Sequence, residues 1–357
     1  MNMEIIKQLA ILIVGFALLV KGADLFVDGA SGIAKKFGIS ELIIGLTIVA
    51  MGTSAPEAAV SIAAAAKGSA GISIGNVIGS NIMNIFIILG VVAAITPLKI
   101  ERSTVRYEMP FTIIVTVLFV LMGRDGLINR VDGAILWAGL LLYIAYLLRQ
   151  AKQKPAEVPA QAETMVQKPE GTGSPEAVAD TAANVPNAAA EAGATPAAAT
   201  ETGEAVPAES PSIWKLITLT IVGLVVILVS SDYAVDAAVA LAKIFNISDR
   251  VIGLTIVALG TSLPELVTSV TAALRGNADL AVGNVVGSCV FNLLFVLGTS
   301  ALILPIPCAP NFLSDAYVAV GATVLLLLFG FTQMKIVRWE GVLLVACYVA
   351  YAYVALV

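Results

Sequence analysis

Residues 41–90 read ELIIGLTIVAMGTSAPEAAVSIAAAAKGSAGISIGNVIGSNIMNIFIILG, and residues 249–298 read DRVIGLTIVALGTSLPELVTSVTAALRGNADLAVGNVVGSCVFNLLFVLG. Half of the positions are identical, without a gap, at an offset of 208 residues. The same offset places acidic residues opposite one another across most of the chain: Asp24 with Asp232, Asp28 with Asp236, and Asp132 with Glu340. The sequence is therefore a duplication, and it predicts two similar halves.

The composition places both halves in lipid. Apolar residues make up 59% of the 357 positions and charged residues only 13%, whereas soluble proteins carry about 25% charged residues. This balance excludes a cytosolic enzyme, and the net charge of −5 gives no basic surface for nucleic acid. The chain has no histidine, which excludes histidine-dependent triads and the usual zinc sites. The three cysteines are scattered and are predicted to be buried free thiols.

Apolar stretches of about 20 residues predict membrane-spanning helices. The first half contains five, near 5–30, 39–66, 71–97, 106–123 and 130–149. The second half contains five more, near 213–241, 248–274, 279–304, 313–331 and 336–357. The sequence thus predicts an all-α polytopic membrane protein with one five-helix repeat over 1–150 and another over 212–357.

The odd number of spans in each half predicts that the two repeats are inverted in the membrane. Inverted repeats are typical of secondary transporters, whose substrate site lies near the midplane where the halves meet. The loops on one side carry thirteen Lys and Arg residues and those on the other side six, and the richer side is expected to be cytoplasmic. Both termini are then expected outside the plasma membrane of a bacterial or archaeal cell.

Residues 151–211 differ in kind from the spans. Stretches such as AANVPNAAAEAGATPAAAT are rich in Ala, Pro, Glu and Thr and contain almost no large apolar residue. Such a segment cannot bury enough apolar surface to offset its conformational entropy. The sequence predicts a disordered cytoplasmic linker between the repeats.

The motif GTSAPE at 52–57, with its twin GTSLPE at 260–265, places Glu57 and Glu265 deep within apolar spans. An acidic residue at a helix centre costs roughly 2.5–3.5 kcal/mol on insertion scales, so function is its default explanation. The proline of each motif lacks an N–H and breaks the helical hydrogen bonding, which leaves backbone carbonyls accessible. Because irregular backbone at this depth lines cavities or is buried in protein, we expect a cluster of oxygen ligands here.

A second motif, GNVIGSNIMN at 75–84, recurs as GNVVGSCVFN at 283–292. Its serine and its last asparagine are four residues apart and so share a helix face. These pairs are Ser80 with Asn84 and Ser288 with Asn292. Interhelical hydrogen bonding is the other reading of the asparagines, but their duplication beside the glutamates favours a role as ligands. Carboxylates, carbonyls, hydroxyls and amides without sulfur or imidazole suit Ca²⁺, Na⁺ or Mg²⁺.

The two copies of G-T-S-x-P-E followed by G-N-x-x-G-S-x-x-x-N resemble the paired alpha repeats of the cation/calcium antiporters, the sodium/calcium exchanger superfamily. The resemblance covers nearly the whole chain except the linker and is closest to prokaryotic exchangers without regulatory domains. It implies Ca²⁺ and Na⁺ as transported ions, no cofactor, and no partner beyond the lipid bilayer. It also implies that Glu57 and Glu265, with the carbonyls of Thr53 and Thr261, bind Ca²⁺. The remaining implied ligands are Ser54, Ser80, Ser288 and Ala50 for a Na⁺ position on one side, Ser262 and Ala258 on the other, and Asn84 and Asn292 in the middle.

One position departs from the family pattern. Several members carry an aspartate where this chain has Asn292. The missing charge leaves two carboxylates at the site, which puts the number of counter-ions in doubt and argues against a K⁺ requirement.

Ca²⁺ and Na⁺ that share two carboxylates must compete, and an empty doubly negative site is unfavourable in hydrocarbon. Only loaded forms would then reorient, which predicts obligatory exchange and no enzymatic activity. Alternatives that the residues leave open are a Ca²⁺/H⁺ or K⁺-linked antiporter and, less favoured, a cation channel. An intramembrane protease has no activated nucleophile or ligand histidine to support it. Five further charged residues within spans have no assigned role: Lys21, Asp24, Asp28, Asp232 and Asp236.

Overall fold

The structure is a computed structural model that describes residues 2–68, 70–153, 211–245 and 258–356. The predicted linker therefore lies almost wholly outside the described residues. So does the first part of the span predicted at 248–274, and of Ala258 only the backbone is described.

The described chain is almost entirely helical. The helices are α1 (Asn2–Phe37), α2 (Glu41–Thr53), α3 (Ala55–Ala66), α4 (Ala70–Ile95), α5 (Thr104–Asp125), α6 (Arg130–Gln153), α7 (Ile213–Ile244), α8 (Ala258–Thr261), α9 (Leu263–Leu274), α10 (Ala278–Ile303), α11 (Pro310–Gln333) and α12 (Arg338–Leu356). Four two-residue strands, β1 (Leu98–Lys99), β2 (Leu127–Ile128), β3 (Ile306–Pro307) and β4 (Lys335–Ile336), are a small departure from the all-α prediction.

The prediction of a polytopic membrane protein is confirmed. Seven helices of the described residues are long and apolar enough to cross a bilayer: α1, α4, α5, α6, α7, α10 and α11. The α2–α3 pair makes an eighth span if its two bent segments are counted together. The tenth predicted span corresponds to α12, of 19 residues, and the seventh is only partly described, so the total of ten spans stays a prediction.

Most predicted boundaries fall within a few residues of the observed ones, but α1 runs seven residues beyond its predicted end. It stops at Phe37 because Gly38 adopts φ +62°, a left-handed conformation that ends helices. The amide of Ile39 then bonds back to the carbonyl of Ala34 at 2.9 Å. Ser40 begins the next helix by accepting a hydrogen bond from the amide of Ile43.

The sequence duplication is repeated in the local structure. Adding 208 to the bounds of α3 and α4 gives the bounds of α9 and α10, and the same shift carries β1 to β3 and β2 to β4. Both long helices also contain a π-helical turn at the same place, Asn84–Leu89 in α4 and Asn292–Leu297 in α10.

The two halves contact one another reciprocally. Strand β1 pairs antiparallel with β4, and their equivalents β3 and β2 pair in the same way. The end of α4 packs on α12, and the end of α10 packs on α6. Glycines make these crossings close: Gly90 meets the backbone of Gly341, and their equivalents Gly298 and Gly133 also meet. Reciprocal contacts of this kind are those of two units related by a twofold axis.

Helices α4 and α10 form the centre of the molecule. In the most apolar 18-residue stretch of each, 72% of the residues of α4 and 94% of those of α10 are buried, against 28–44% in the other full-length spans. Helix α10 packs on α2 and α9, helix α4 packs on α3 and α11, and α1 runs along α7. Polar side chains on α4 and α10 are therefore shielded from lipid.

Candidate ion-binding site

The predicted proline motifs break two spans at equivalent points. Helices α2 and α3 meet at Ser54, whose backbone leaves helical geometry (φ −81°, ψ 10°), and their axes differ by 49°. Ser262 separates α8 from α9 with nearly the same backbone angles (φ −90°, ψ 5°). Because proline is tolerated in the first turn of a helix, a new helix starts immediately after each break.

Each break places a glutamate in the first turn of the second helix, Glu57 in α3 and Glu265 in α9. The free N–H groups at a helix start favour a negative charge there. Glu57 is 1% exposed and Glu265 is fully buried. The sequence thus creates two buried carboxyl groups, each in the first turn of a helix.

The two breaks meet each other across the repeat interface. Ser54 donates a hydrogen bond from Oγ to Oε1 of Glu265 at 2.7 Å, and Ser262 donates from Oγ to Oε1 of Glu57 at 3.1 Å. The acidic side chains predicted to act together are therefore neighbours, although 208 positions separate them in the chain.

Several buried side-chain oxygen atoms around this crossing, and one amide nitrogen, have no hydrogen-bond partner among the described residues. They are the second carboxylate oxygen, Oε2, of both glutamates, both amide atoms of Asn84, and Oδ1 of Asn292. Leaving such groups unpaired costs about 1–3 kcal/mol each, and more for charged groups. Oxygen atoms without a hydrogen-bond partner are available as ligands for a hard cation, which agrees with the oxygen ligands predicted from the sequence.

The other predicted ligands on the first-half side are also buried. Thr53 lies with its hydroxyl 3.1 Å from the carbonyl of Val49 and 3.0 Å from Oδ1 of Asn284. The carbonyl of Ala50 accepts a hydrogen bond from the amide of Ser54 at 3.0 Å, and Oγ of Ser288 lies 3.5 Å away from it. Ala50, Thr53 and Ser288 are each fully buried.

The remaining predicted ligands lie on α4, α8 and α10. Ser80 is 5% exposed, and Asn84 and Asn292 begin the two π-helical turns. Such turns occur frequently at functional sites. Thr261 is partly buried at the end of α8, next to Ser262.

Three asparagines near the site were not among the predicted ligands. Asn76 bonds through Nδ2 to the hydroxyl of Ser61 at 2.9 Å and to the carbonyl of Glu57 at 3.2 Å. Its equivalent Asn284 reaches Ser269 and the carbonyl of Glu265 in the same way. Both belong to the duplicated G-N dipeptide, so the repeat already contained the signal that they support the glutamates.

Asn81 gave no such signal because the equivalent position is Cys289. Its Nδ2 donates to the carbonyl of Cys289 at 3.1 Å, and its Oδ1 accepts from Nδ2 of Asn292 at 3.3 Å. Asn81 therefore joins α4 to α10 and orients Asn292.

Within the part of the chain that the structure describes, no group of three or more His, Cys, Asp and Glu residues gathers in one place. The two glutamates would therefore have to bind a cation together with neutral oxygens. The free cysteines Cys289 and Cys308 are buried and Cys347 is partly buried, in agreement with the prediction for the first two.

Comparisons with known proteins identify the family. The family model for sodium/calcium exchanger proteins matches residues 7–152 and 215–357. The chain belongs to the sodium/calcium exchanger family. The resemblance predicted from the two motifs is thereby confirmed, and so is the expectation of a membrane ion exchanger that is not an enzyme.

Individual relatives match this exchanger over nearly its full length. The sodium/calcium exchanger MaX1 of Methanosarcina acetivorans is 35% identical over 355 residues, covering 96% of each chain. The putative antiporter CaxA of Alkalimonas amylolytica is 37% identical over 345 residues, again 96% of each chain. A solved structure of the sodium-calcium exchanger NCX_Mj superimposes with a TM-score of 0.75 at 31% identity and covers 99% of this chain and 100% of that one.

Proposed function

We propose that this exchanger moves Ca²⁺ against Na⁺ by alternating access at one site built on Glu57 and Glu265. The observation that carries the proposal is the reciprocal pair of hydrogen bonds, from Ser54 to Glu265 and from Ser262 to Glu57. Each half contributes one carboxylate and one serine, so the two halves complete a single site between them.

The remaining oxygen atoms complete the proposed site. The unpaired Oε2 atoms of both glutamates and the amide oxygens of Asn84 and Asn292 are available to a cation. Ca²⁺ accepts six to eight oxygen ligands in irregular geometry. We assign the carbonyls of Thr53 and Thr261 to the same Ca²⁺. The flanking Na⁺ positions are assigned to Ser54, Ser80, Ser288 and Ala50 on one side and to Ser262 and Ala258 on the other.

Charge balance couples the two ions. The two carboxylates carry two negative charges, which one Ca²⁺ or two or more Na⁺ neutralise. Since an unneutralised buried pair is expensive in a low-dielectric interior, only loaded forms reorient. The relative affinities of the two loads in the two end states then set the direction of net transport.

We propose ten spans in two inverted repeats for this exchanger. The reciprocal contacts of the strands, the glycine crossings and the serine–glutamate pairs support a twofold relation between the halves. The excess of Lys and Arg in one set of loops supports cytoplasmic placement of the linker, with both termini outside the plasma membrane.

The test is Ca²⁺ uptake into proteoliposomes, with Na⁺, K⁺ and pH gradients imposed one at a time. A Na⁺ gradient alone should drive uptake. Uptake that follows only the pH gradient would assign the protein to Ca²⁺/H⁺ exchange, and uptake with no counter-ion would indicate a channel.

The site itself is tested by Glu57→Gln and Glu265→Gln, which keep the side-chain shape and an oxygen that the opposite serine can still reach. Each substitution should abolish Ca²⁺ uptake and leave the amount of folded, membrane-inserted protein unchanged. Glu4→Gln, at an exposed glutamate in the first turn of α1, is the control and should transport normally. Normal uptake by either site variant would show that the site lies elsewhere.

A further inference from the structure

Arg275, in the turn between α9 and α10, forms ion pairs with helix α1. Its guanidinium contacts Asp24 at 2.6 Å and also contacts Asp28. The two aspartates are four residues apart and so occupy one face of α1. One arginine thus holds two successive turns of this helix.

A hydrogen bond between uncharged side chains joins the same turn to α1 one helical turn further along. Asn277 donates from Nδ2 to Oγ of Ser31 at 2.9 Å. Asp24, Asp28 and Ser31 follow one stripe of α1, and α1 also packs on α9 along its length. We call the contacts of Arg275 with Asp24 and Asp28 the first ion-pair cluster.

The duplication provides an equivalent set of charges. A shift of 208 residues carries Asp24 and Asp28 to Asp232 and Asp236 on α7, and it relates Arg275 to Lys67. The turns themselves are alike, since Gly68 adopts φ +83° and Gly276 adopts φ +81°.

The equivalent charges are nevertheless apart. Lys67, Asp232 and Asp236 are all exposed, and within the described ranges none of them forms an ion pair. The repeats therefore share the charges and the turn, but only one of them has its cluster formed. Two inverted units in an alternating-access transporter are expected to differ in this way, because one access path is closed while the other is open.

We propose that the first ion-pair cluster holds one access path closed in one end state of transport, and that Lys67 forms the matching cluster with Asp232 and Asp236 in the opposite end state. This inference rests on the proposed alternating-access function. The two clusters are then mutually exclusive, and each reorientation of the site breaks one and forms the other. Arg275 and Lys67 are positioning residues, since neither contacts the proposed ion site.

The two end states should differ in stability because one cluster contains an arginine and the other a lysine. The planar guanidinium of arginine can hold two carboxylates at once, whereas the ammonium of lysine is a compact point charge. Lys21 adds a second cation 3.7 Å from Asp24, and its equivalent position is the uncharged Val229. The state with the first cluster formed should therefore be the more populated one when ion concentrations are equal on the two sides.

The experiment follows solvent access beside the first cluster. Val27, next to Asp28 and 1% exposed, is replaced by cysteine in full-length protein in which the three native cysteines are changed to alanine. The rate of reaction with a membrane-impermeant thiol reagent is then measured in reconstituted protein. Arg275→Gln should raise this rate severalfold, whereas the matched variant Lys67→Gln should lower it or leave it unchanged.

Variants that restore the ion pair distinguish a gating role of Arg275 from a merely structural one. Arg275→Lys should keep part of the protection, and the charge exchange Arg275→Asp with Asp28→Arg should restore more of it than Arg275→Asp alone. In transport assays, Arg275→Gln and Lys67→Gln should shift the ratio of the half-saturating Ca²⁺ concentrations on the two sides in opposite directions. A general loss of packing would lower transport without this opposition.

A second measurement needs no substitution at the clusters. Because Asp28 and Arg275 are partly exposed, with 58% and 32% of their side-chain surface accessible, high salt should weaken their attraction. Higher ionic strength should therefore raise the labelling rate of the Val27→Cys protein.

The proposal is overturned if labelling is the same with and without Arg275, or if both single variants shift labelling in the same direction. Intact Na⁺-driven Ca²⁺ uptake with unchanged labelling would refute the clusters and leave the proposed function standing. Opposite labelling shifts without Na⁺-driven uptake would refute Na⁺ as the coupling ion and support the clusters.

Discussion

The last asparagine of each G-N-x-x-G-S-x-x-x-N motif shows how one side chain can set the charge of the proposed site. Asn292 is fully buried, donates to Asn81, and has no partner for its oxygen among the described residues. Its equivalent Asn84 is 1% exposed and has no hydrogen-bond partner in the described part of the chain. Both side chains lie where an aspartate would add a third negative charge without a change of shape.

We predict that Asn292→Asp changes the charge moved in each exchange cycle. A third carboxylate requires one more positive charge for neutralisation, which additional Na⁺ can supply, so the Na⁺ to Ca²⁺ ratio should rise. The membrane potential at which net Ca²⁺ flux reverses in proteoliposomes measures that ratio. Asn84→Asp is the matched variant and should act in the same direction, whereas an unchanged reversal potential in both would place the asparagines outside the ion site.

At the scale of elements, close helix contact positions the broken spans. Gly287 of α10 lies so near α2 that an added Cβ would stand 2.7 Å from Cα of Leu46 and 2.8 Å from Cβ of Ala50. Gly283, one turn earlier, would bring a Cβ to 2.7 Å from the carbonyl of Leu42. A larger residue at either position would push α2 away from α10, and the proposed cation ligands on both helices would separate.

We predict that Gly287→Ala lowers both stability and Ca²⁺ affinity. Overpacking a close contact typically costs about 1–3 kcal/mol, and the displaced helices would raise the Ca²⁺ concentration needed for half-maximal uptake. Thermal unfolding in detergent and uptake titrations measure the two effects.

The control for this prediction is Gly321→Ala, in the middle of α11. Gly321 is exposed, and an added Cβ would meet nothing within 4 Å among the described residues. Because alanine is favoured over glycine inside a helix, this variant should be as stable as the parent or slightly more so. Equal losses in both variants would mean that the close contact of α10 with α2 is not what matters.

At the scale of the whole molecule, neither half contains all the residues of the proposed site. Each buried glutamate accepts its serine hydrogen bond from the other half, and strands of one half pair with strands of the other. Helix α1 of the first half also runs along α7 of the second. Separation of the halves would expose these faces and leave each carboxylate without its partner.

We predict that residues 1–153 and 211–357, co-expressed as separate chains, assemble and restore Ca²⁺ uptake. The contacts described between the halves all lie in the helices and strands of these two chains. Either chain expressed alone should be degraded or inactive, which membrane yield and uptake would show. Activity of a single half would contradict a site shared between the repeats.

The sequence by itself determined the membrane environment, the duplication and the residues that carry charge into the spans. These features depend on composition, on local periodicity and on the two proline motifs, all of which act over a few helical turns. The motif at which each helix is interrupted could be predicted for the same reason, since proline disrupts hydrogen bonds only within its own helix.

Only the tertiary structure decided which groups face each other across the repeats. The crossing of Ser54 with Glu265, the role of Asn81, and the unequal pairing of Arg275 and Lys67 all join residues about 205–251 positions apart. No local pattern encodes such contacts, because two similar sets of helices can pack in more than one register and more than one state. The duplicated motifs supply the chemical groups, and the packing of α2, α4, α9 and α10 selects which of them share a site.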